Sequence, residues 1–173
     1  MLDLLPPEIQ THLQVLSTDP WFQDLTPRRR GATDNPFFFH NEESTAHPSV
    51  EVRPIRTPLP DELRAVYERY SDDTEFSTRH GWTFLSEREI MTRRAAMQEE
   101  GQTRFVDIAI SYAGLGHVHV LSYVEDLDSV FTSMDGGANG WERQANHERR
   151  MALSVESTVP FRTWWTTSCE NTE

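Results

Sequence analysis

Two runs of alternating apolar residues constrain the fold of this chain more than any other feature. The apolar positions are Val106, Ile108, Ile110 and Tyr112 in the first run, and Val118 and Val120 in the second. Because successive side chains of a β-strand point to opposite faces, each run predicts a strand. Gly114-Leu115-Gly116 separates the runs and predicts a tight hairpin turn. A third short run after Asp128 completes a predicted β-meander.

Helical patterns stand on both sides of the meander. The apolar residues that follow Pro60 and Asp61 have the spacing of one helix face: Leu63, Val66, Tyr67 and Tyr70. Ser86 and Glu89 have the spacing of a capping box, which predicts a second helix from there to about Glu100. Between the helices, an extended segment is predicted around Gly81 from three aromatic residues: Phe76, Trp82 and Phe84. The predicted class is α+β, with helices packed on one side of an antiparallel sheet.

The same patterns divide the chain into four parts. Residues 1–26 predict a short helical arm that begins near Pro6 and Pro7, and residues 27–49 have the composition of a linker. Residues 50–165 form the predicted domain. It opens with a predicted strand at 50–53 and includes a predicted helix at 141–153. The segment 155–165 is apolar enough to pack in the core. Residues 166–173 are predicted to be a disordered tail.

Charge and composition exclude several classes of function. The chain has 173 residues and a net charge of −12, so the single basic cluster, Arg28-Arg29-Arg30, does not predict nucleic-acid binding. An acidic surface favours a basic protein partner instead. No apolar run approaches the roughly 20 residues that span a bilayer, and the N-terminus does not resemble a signal peptide. With a lone cysteine, Cys169, the predicted location is cytoplasmic or otherwise intracellular, a virion included.

The chain has 16 arginines and no lysine. Two explanations for the absence of lysine stay open at this point. A GC-rich genome favours arginine codons, whereas avoidance of ubiquitin attachment would remove the residue that accepts this modification.

The order LPDELRAVYERY, GWTFLSEREI and GLGHVHVL resembles the SUKH superfamily, whose members have a helix of the form LPxxLxxxYxxY, a segment near FLSxEEI and a glycine-containing sheet. The resemblance covers roughly residues 58–150. Two departures are the replacement of the usual Asn-Gly by Ser71-Asp72-Asp73 and the long spacing before DGGANG. Bacterial members are commonly immunity proteins that neutralise toxins, and related viral domains are thought to bind host proteins. The resemblance therefore implies a protein-binding domain.

Two shorter similarities suggest other contexts. The segments YAGLGHVHVL and DGGANGWERQAN are similar to segments of uncharacterised giant-virus proteins. The N-terminal LLPPEIQTHL is similar to the opening of an F-box, in which a short helix docks on a ubiquitin-ligase adaptor.

Candidate partner-binding residues lie in the turns of the predicted meander, because loops carried on a rigid sheet are favoured contact surfaces. They include two aromatic residues, since aromatic side chains dominate binding hot spots; burial in the core is the competing interpretation for both. The candidates are Gly114, Gly116, Asp135, Asn139, Trp141, Arg143 and Trp82.

Catalytic chemistry has weaker signals. His117 and His119 lie two apart on a predicted strand and share a face, so with His147 they would supply three zinc ligands; an ordinary polar strand face is the competing interpretation. The Asp135–Gly140 segment lacks the acids of an EF-hand, and no Ser-His-Asp or Cys-His set stands out. No cofactor and no catalytic residue are therefore predicted.

The leading hypothesis is a non-catalytic domain that sequesters a protein partner, either a toxin or a host factor. One alternative is a minor structural component of a large DNA virus, whose arm and Phe37–Phe39 insert into neighbouring subunits. Another is a metal-dependent hydrolase that uses His117 and His119. The sequence indicates neither the partner nor the oligomeric state.

Overall fold

The computed structural model describes residues 6–29, 44–49, 51–114, 117–136 and 158–170. These residues contain a seven-stranded antiparallel sheet in the order β2-β1-β3-β4-β5-β6-β7. The strands are β1 (Thr26–Arg29), β2 (Ser44–Thr45), β3 (Thr74–Ser77), β4 (Trp82–Phe84), β5 (Phe105–Gly114), β6 (His117–Val124) and β7 (Ser129–Gly136). From β3 onward, each strand pairs with the next along the chain. The predicted meander is confirmed.

Five α-helices lie in the described residues: α1 (Pro7–Thr18), α2 (Pro20–Gln23), α3 (Asp61–Tyr67), α4 (Glu87–Glu99) and α5 (Phe161–Glu170). Proline stands at the start of α1, where a missing N–H is harmless. The Ser86 side chain accepts a hydrogen bond from the Glu89 N–H, so the predicted N-cap of α4 is confirmed. None of the described helices combines the length and the hydropathy needed to cross a bilayer.

A large hydrophobic cluster joins one face of the sheet to α3, the start of α4 and α5. The cluster is continuous from Leu63 of α3 to Phe161 and Trp165 of α5. Phe84 of β4 is its aromatic centre, with ring centroids 6.0 Å from Phe161 and 5.9 Å from Trp165. The predicted α+β class, with helices packed against an antiparallel sheet, is confirmed.

A second, smaller cluster contains Met97 of α4 with Phe105 and Val124. Phe105 pairs directly with Val124, whereas the next pair, Val106 and Tyr123, belongs to the large cluster. Successive residues of a strand lie on opposite faces. Both faces of β5 and β6 are therefore covered at this level of the sheet.

The sheet extends into a segment that the sequence predicted as a linker. β1 pairs with β3 from Thr26–Ser77 to Arg29–Thr74, and β2 pairs with β1 through Thr45 and Ser44. Neither strand has an alternating apolar pattern in its sequence. Backbone pairing with the neighbouring strands places both of them in the sheet.

Two other predictions differ from the structure. Residues 51–59 form no strand, and Arg53 instead donates its backbone N–H to the Glu68 carbonyl at 2.9 Å. Helix α5 continues to Glu170, past the predicted domain end at 165, since Trp165 is part of the core.

The end of the N-terminal arm is fastened to the domain. Phe22 and Leu25 pack against the large cluster. Asp24 is buried and accepts a 2.8 Å hydrogen bond from Nε of Arg79, in the turn between β3 and β4. His80 lies on the other side of this carboxylate, with Nε2 3.7 Å from Oδ2. The arm is therefore folded back onto its own chain from residue 22 onward.

Candidate functional site

The strand register brings two predicted binding residues, Gly114 and Asp135, to one end of the sheet. His117 of β6 pairs with Gly114 of β5 on one side and with Gly136 of β7 on the other. Asp135 of β7 pairs with Val118, the next residue of β6. We call this region, residues 110–114, 117–119 and 134–136, the hairpin end. The shared position is a consequence of the antiparallel pairing, which places the last residues of β5 and β7 beside the first residues of β6.

Tyr112 is the most exposed large hydrophobic residue among those described, with 77% of its surface accessible. It lies near the end of β5 and pairs with Val118, which is half-buried. Two residues earlier, Ile110 is half-buried and pairs with the buried Val120. The backbone of Tyr112 is thus held in the sheet while its ring lies in solvent.

The two strand histidines lie in the hairpin end but do not form a metal site with described residues. His119 pairs with Ser111, and Asp135 pairs with Val118, the residue between the two histidines. No group of three metal-ligating side chains occurs within the ranges that the structure describes. His147, the proposed third ligand, lies outside those ranges.

The remaining predicted residues fall into two groups. Trp82 is half-buried and packs edge-to-face on Trp164, with ring centroids 5.1 Å apart, so its described contacts are those of a core residue. Four candidates lie outside the described residues: Gly116, Asn139, Trp141 and Arg143. The Phe37–Phe39 run and the predicted helix at 141–153 lie outside them as well.

Beyond the hairpin end, β5 and β6 carry a buried polar pair. The Ser122 hydroxyl donates to Oδ1 of Asp107 at 2.6 Å, and Nη1 of Arg93 from α4 lies 3.7 Å from Oδ2. Asp107 and Ser122 are direct cross-strand partners. The pair fixes the register of the two strands, because slipping by one residue would separate the hydroxyl from the carboxylate.

The opposite end of the same strands is acidic. Arg104 donates to both carboxylate oxygens of Asp126, and these hydrogen bonds hold the pKa of Asp126 below its usual range. Burial raises the pKa of Tyr123, and its 2.7 Å hydrogen bond to Asp128 acts in the same direction. These contacts belong to the turn between β6 and β7.

Sequence reasoning placed Tyr112 on a predicted strand but missed it as a binding candidate. Apolar alternation predicts a buried face, and Tyr112 follows that pattern together with Ile110. The available signal for exposure was its position as the last residue of the alternating run, two residues before Gly114.

No protein-family model, curated protein or solved structure matches this chain. The SUKH resemblance therefore stays a prediction.

Proposed function

We propose that this chain is a non-catalytic protein-binding domain that sequesters a partner protein through the hairpin end of its sheet. The observation that carries the proposal is the 77% exposure of Tyr112 on a backbone held by strand pairing. Aromatic residues supply a large contact area at low conformational cost, and they are enriched among the residues that dominate binding energy.

The architecture supports the proposal. The hairpin end projects from strands whose other ends are buried on both faces, so a partner meets a preorganised surface and less ordering free energy is lost on binding. The net charge of −12 favours a partner with a basic surface, because complementary fields speed encounter. The SUKH resemblance suggests a toxin or a host factor as that partner.

The capsid-component alternative depended on an N-terminal arm that is free to insert into a neighbouring subunit. Asp24 and Phe22 instead contact their own domain, and β1 begins directly after them. This arrangement favours an arm that serves the fold of its own chain.

The test is an affinity capture with the full-length chain as bait and proteins identified by mass spectrometry. The decisive variant is Tyr112→Ala, and the matched control is Met91→Ala, which removes another exposed apolar side chain from α4. Loss of a central aromatic contact costs about 2 kcal/mol or more, which corresponds to roughly a 30-fold loss of affinity.

The expected result is one stoichiometric partner that the wild type and Met91→Ala retain and Tyr112→Ala loses. Circular dichroism of the three proteins must be the same for this comparison. A partner that Tyr112→Ala retains at full affinity would place binding elsewhere on the chain. Failure of every bait to retain a partner would contradict the protein-binding proposal.

A further inference from the structure

Arg69 is a buried arginine beside the C-terminal end of α3. Only 3% of its surface is accessible. Its backbone carbonyl accepts a hydrogen bond from the Ser49 N–H, so the segment 46–49 runs beside it. Ala46 in that segment is buried as well. The side chain is therefore enclosed near the junction of two chain segments.

Two nitrogens of this guanidinium lack a hydrogen-bond acceptor in the described part of the chain. They are Nε and Nη1, and both are inaccessible to solvent. A guanidinium grips an oxyanion either through Nε and Nη2 or through Nη1 and Nη2. Each of these two edges therefore includes one unpaired nitrogen.

The neighbouring backbone carbonyls accept hydrogen bonds from other donors and none from these two nitrogens. The Tyr67 and Tyr70 carbonyls accept hydrogen bonds from the Arg53 side chain, and the Glu68 carbonyl accepts one from the Arg53 backbone. Arg53 itself is neutralised by Glu87, whereas no ion pair to Arg69 occurs among the described residues. The two arginines thus differ in that only Arg53 has a described counter-charge.

Other half-paired arginines do not share this situation. In Arg64 and Arg94 only Nε is both inaccessible to solvent and without an acceptor among the described residues, and both residues are half-buried. Burial lowers the pKa of Arg69 from its ordinary value, although a guanidinium stays charged at neutral pH. A buried cation without a counter-charge is destabilising, and an anion that pairs with it removes this penalty.

We propose that Arg69 is the centre of a binding site for a small oxyanion, a phosphate or a carboxylate group, at the junction of α3 with the segment 46–49. The anion accepts hydrogen bonds from the guanidinium and supplies the missing counter-charge. This site is separate from the hairpin end and does not depend on the proposed protein partner.

The test is the melting temperature of the full-length chain in sodium phosphate, sodium acetate and sodium chloride at equal ionic strength and neutral pH. A ligand that binds only the folded state raises its stability, so phosphate or acetate is expected to raise the melting temperature over chloride by roughly 2–4 °C. Phosphate also stabilises folded proteins in general, so the part of the rise that is lost in Arg69→Met is compared: a larger part with phosphate favours a phosphate group as the ligand, and a larger part with acetate favours a carboxylate.

Two variants and a control assign the effect to Arg69. Arg69→Met is expected to abolish the anion-dependent rise and to be at least as stable as the wild type in chloride, because the uncompensated charge is gone. Arg69→Lys keeps the charge without the planar fork, and it is expected to lose most of the rise. Arg56→Met, the same change at an exposed arginine, is expected to keep it.

Three outcomes would overturn the proposal. The first is a wild-type melting temperature that is the same in all three salts. The second is an anion-dependent rise that persists in Arg69→Met or Arg69→Lys, since this would indicate a general effect of the salt. The third is a strong destabilisation of Arg69→Met in chloride, which would mean that Arg69 already has a partner within the protein.

Discussion

The two ends of the β5–β6 hairpin are built from the same strands but have opposite environments. At residues 105–109 and 120–124, which we call the closed end, every residue is buried, and the two hydrophobic clusters cover both faces. At the hairpin end, Tyr112 is exposed, and His117, Val118 and His119 are half-buried. The same two strands thus supply both the core and the candidate binding surface.

The difference shows how a small domain holds an apolar side chain in solvent. Exposure of Tyr112 costs some hydrophobic free energy, but the backbone pairing to Val118 is continuous with the buried pairs. We therefore expect the closed end to supply more of the stability than the hairpin end. Substitutions at Leu121 and Tyr112 test this division directly, and two further predictions test the ion pair and the buried tyrosine of the helical layer; they are given from the largest expected effect to the smallest.

Truncation at the closed end should be the most damaging change. Leu121 is fully buried, so Leu121→Ala is expected to lower the free energy of unfolding by about 2–5 kcal/mol. Urea denaturation followed by circular dichroism measures the loss. A loss below about 1 kcal/mol would show that the closed end is not the source of stability.

Removal of one partner from the Arg53–Glu87 ion pair should be nearly as damaging. Glu87 is buried, so Arg53→Met leaves an uncompensated carboxylate and is expected to cost about 3 kcal/mol. The double variant Arg53→Met with Glu87→Leu removes both charges, and it is expected to recover more than half of that loss. Equal stability of the single and double variants in urea denaturation would contradict the pairing.

Stability should also fall in alkaline solution because of Tyr67. Burial raises the pKa of Tyr67 well above its ordinary value near 10, so above about pH 10 the unfolded chain releases this proton while the folded chain keeps it. The contribution of this group to the free energy of unfolding is fully present below that pH. Above it, this contribution falls by up to about 1.4 kcal/mol per pH unit. Urea denaturation from about pH 8 to pH 11 should show a shallower fall for Tyr67→Phe, and an unchanged slope would contradict the assignment.

At the hairpin end, substitution should leave the fold nearly unaffected. Tyr112→Ala removes an exposed ring, so the free energy of unfolding is expected to change by less than about 0.5 kcal/mol. A loss comparable to that of Leu121→Ala in the same urea assay would remove the distinction between the two ends.

The sequence predicted the helices and strands that are marked by a pattern of neighbouring residues. The capping box at Ser86 and Glu89, the apolar face of α3 and the alternation of β5 were all sufficient, and the structure confirms each. The strands β1 and β2 lack such a signal, because β1 contains a proline and polar residues and pairs with β3 across a long stretch of sequence. Backbone pairing between distant segments leaves little trace in local composition.

The candidate site was predictable only in part. The turn residues Gly114 and Asp135 were identified from the sequence, and the register places both in the hairpin end. The exposure of Tyr112 was not predicted, because its alternation with Ile110 is the same pattern that predicts burial. Trp82 shows the converse: an aromatic side chain proposed as a contact residue packs on Trp164 of a helix far along the chain.

The sequence by itself determined the α+β class, the hairpin and the starts of α1, α3 and α4, since these depend on periodicity, capping and turn residues over short distances. The tertiary structure decided which side chains have partners. Arg53 and Arg69 are both arginines, but only Arg53 lies against a described carboxylate, that of Glu87. The physical reason is that counter-charges and covering surfaces come from residues tens of positions away, and only the folded chain brings them together.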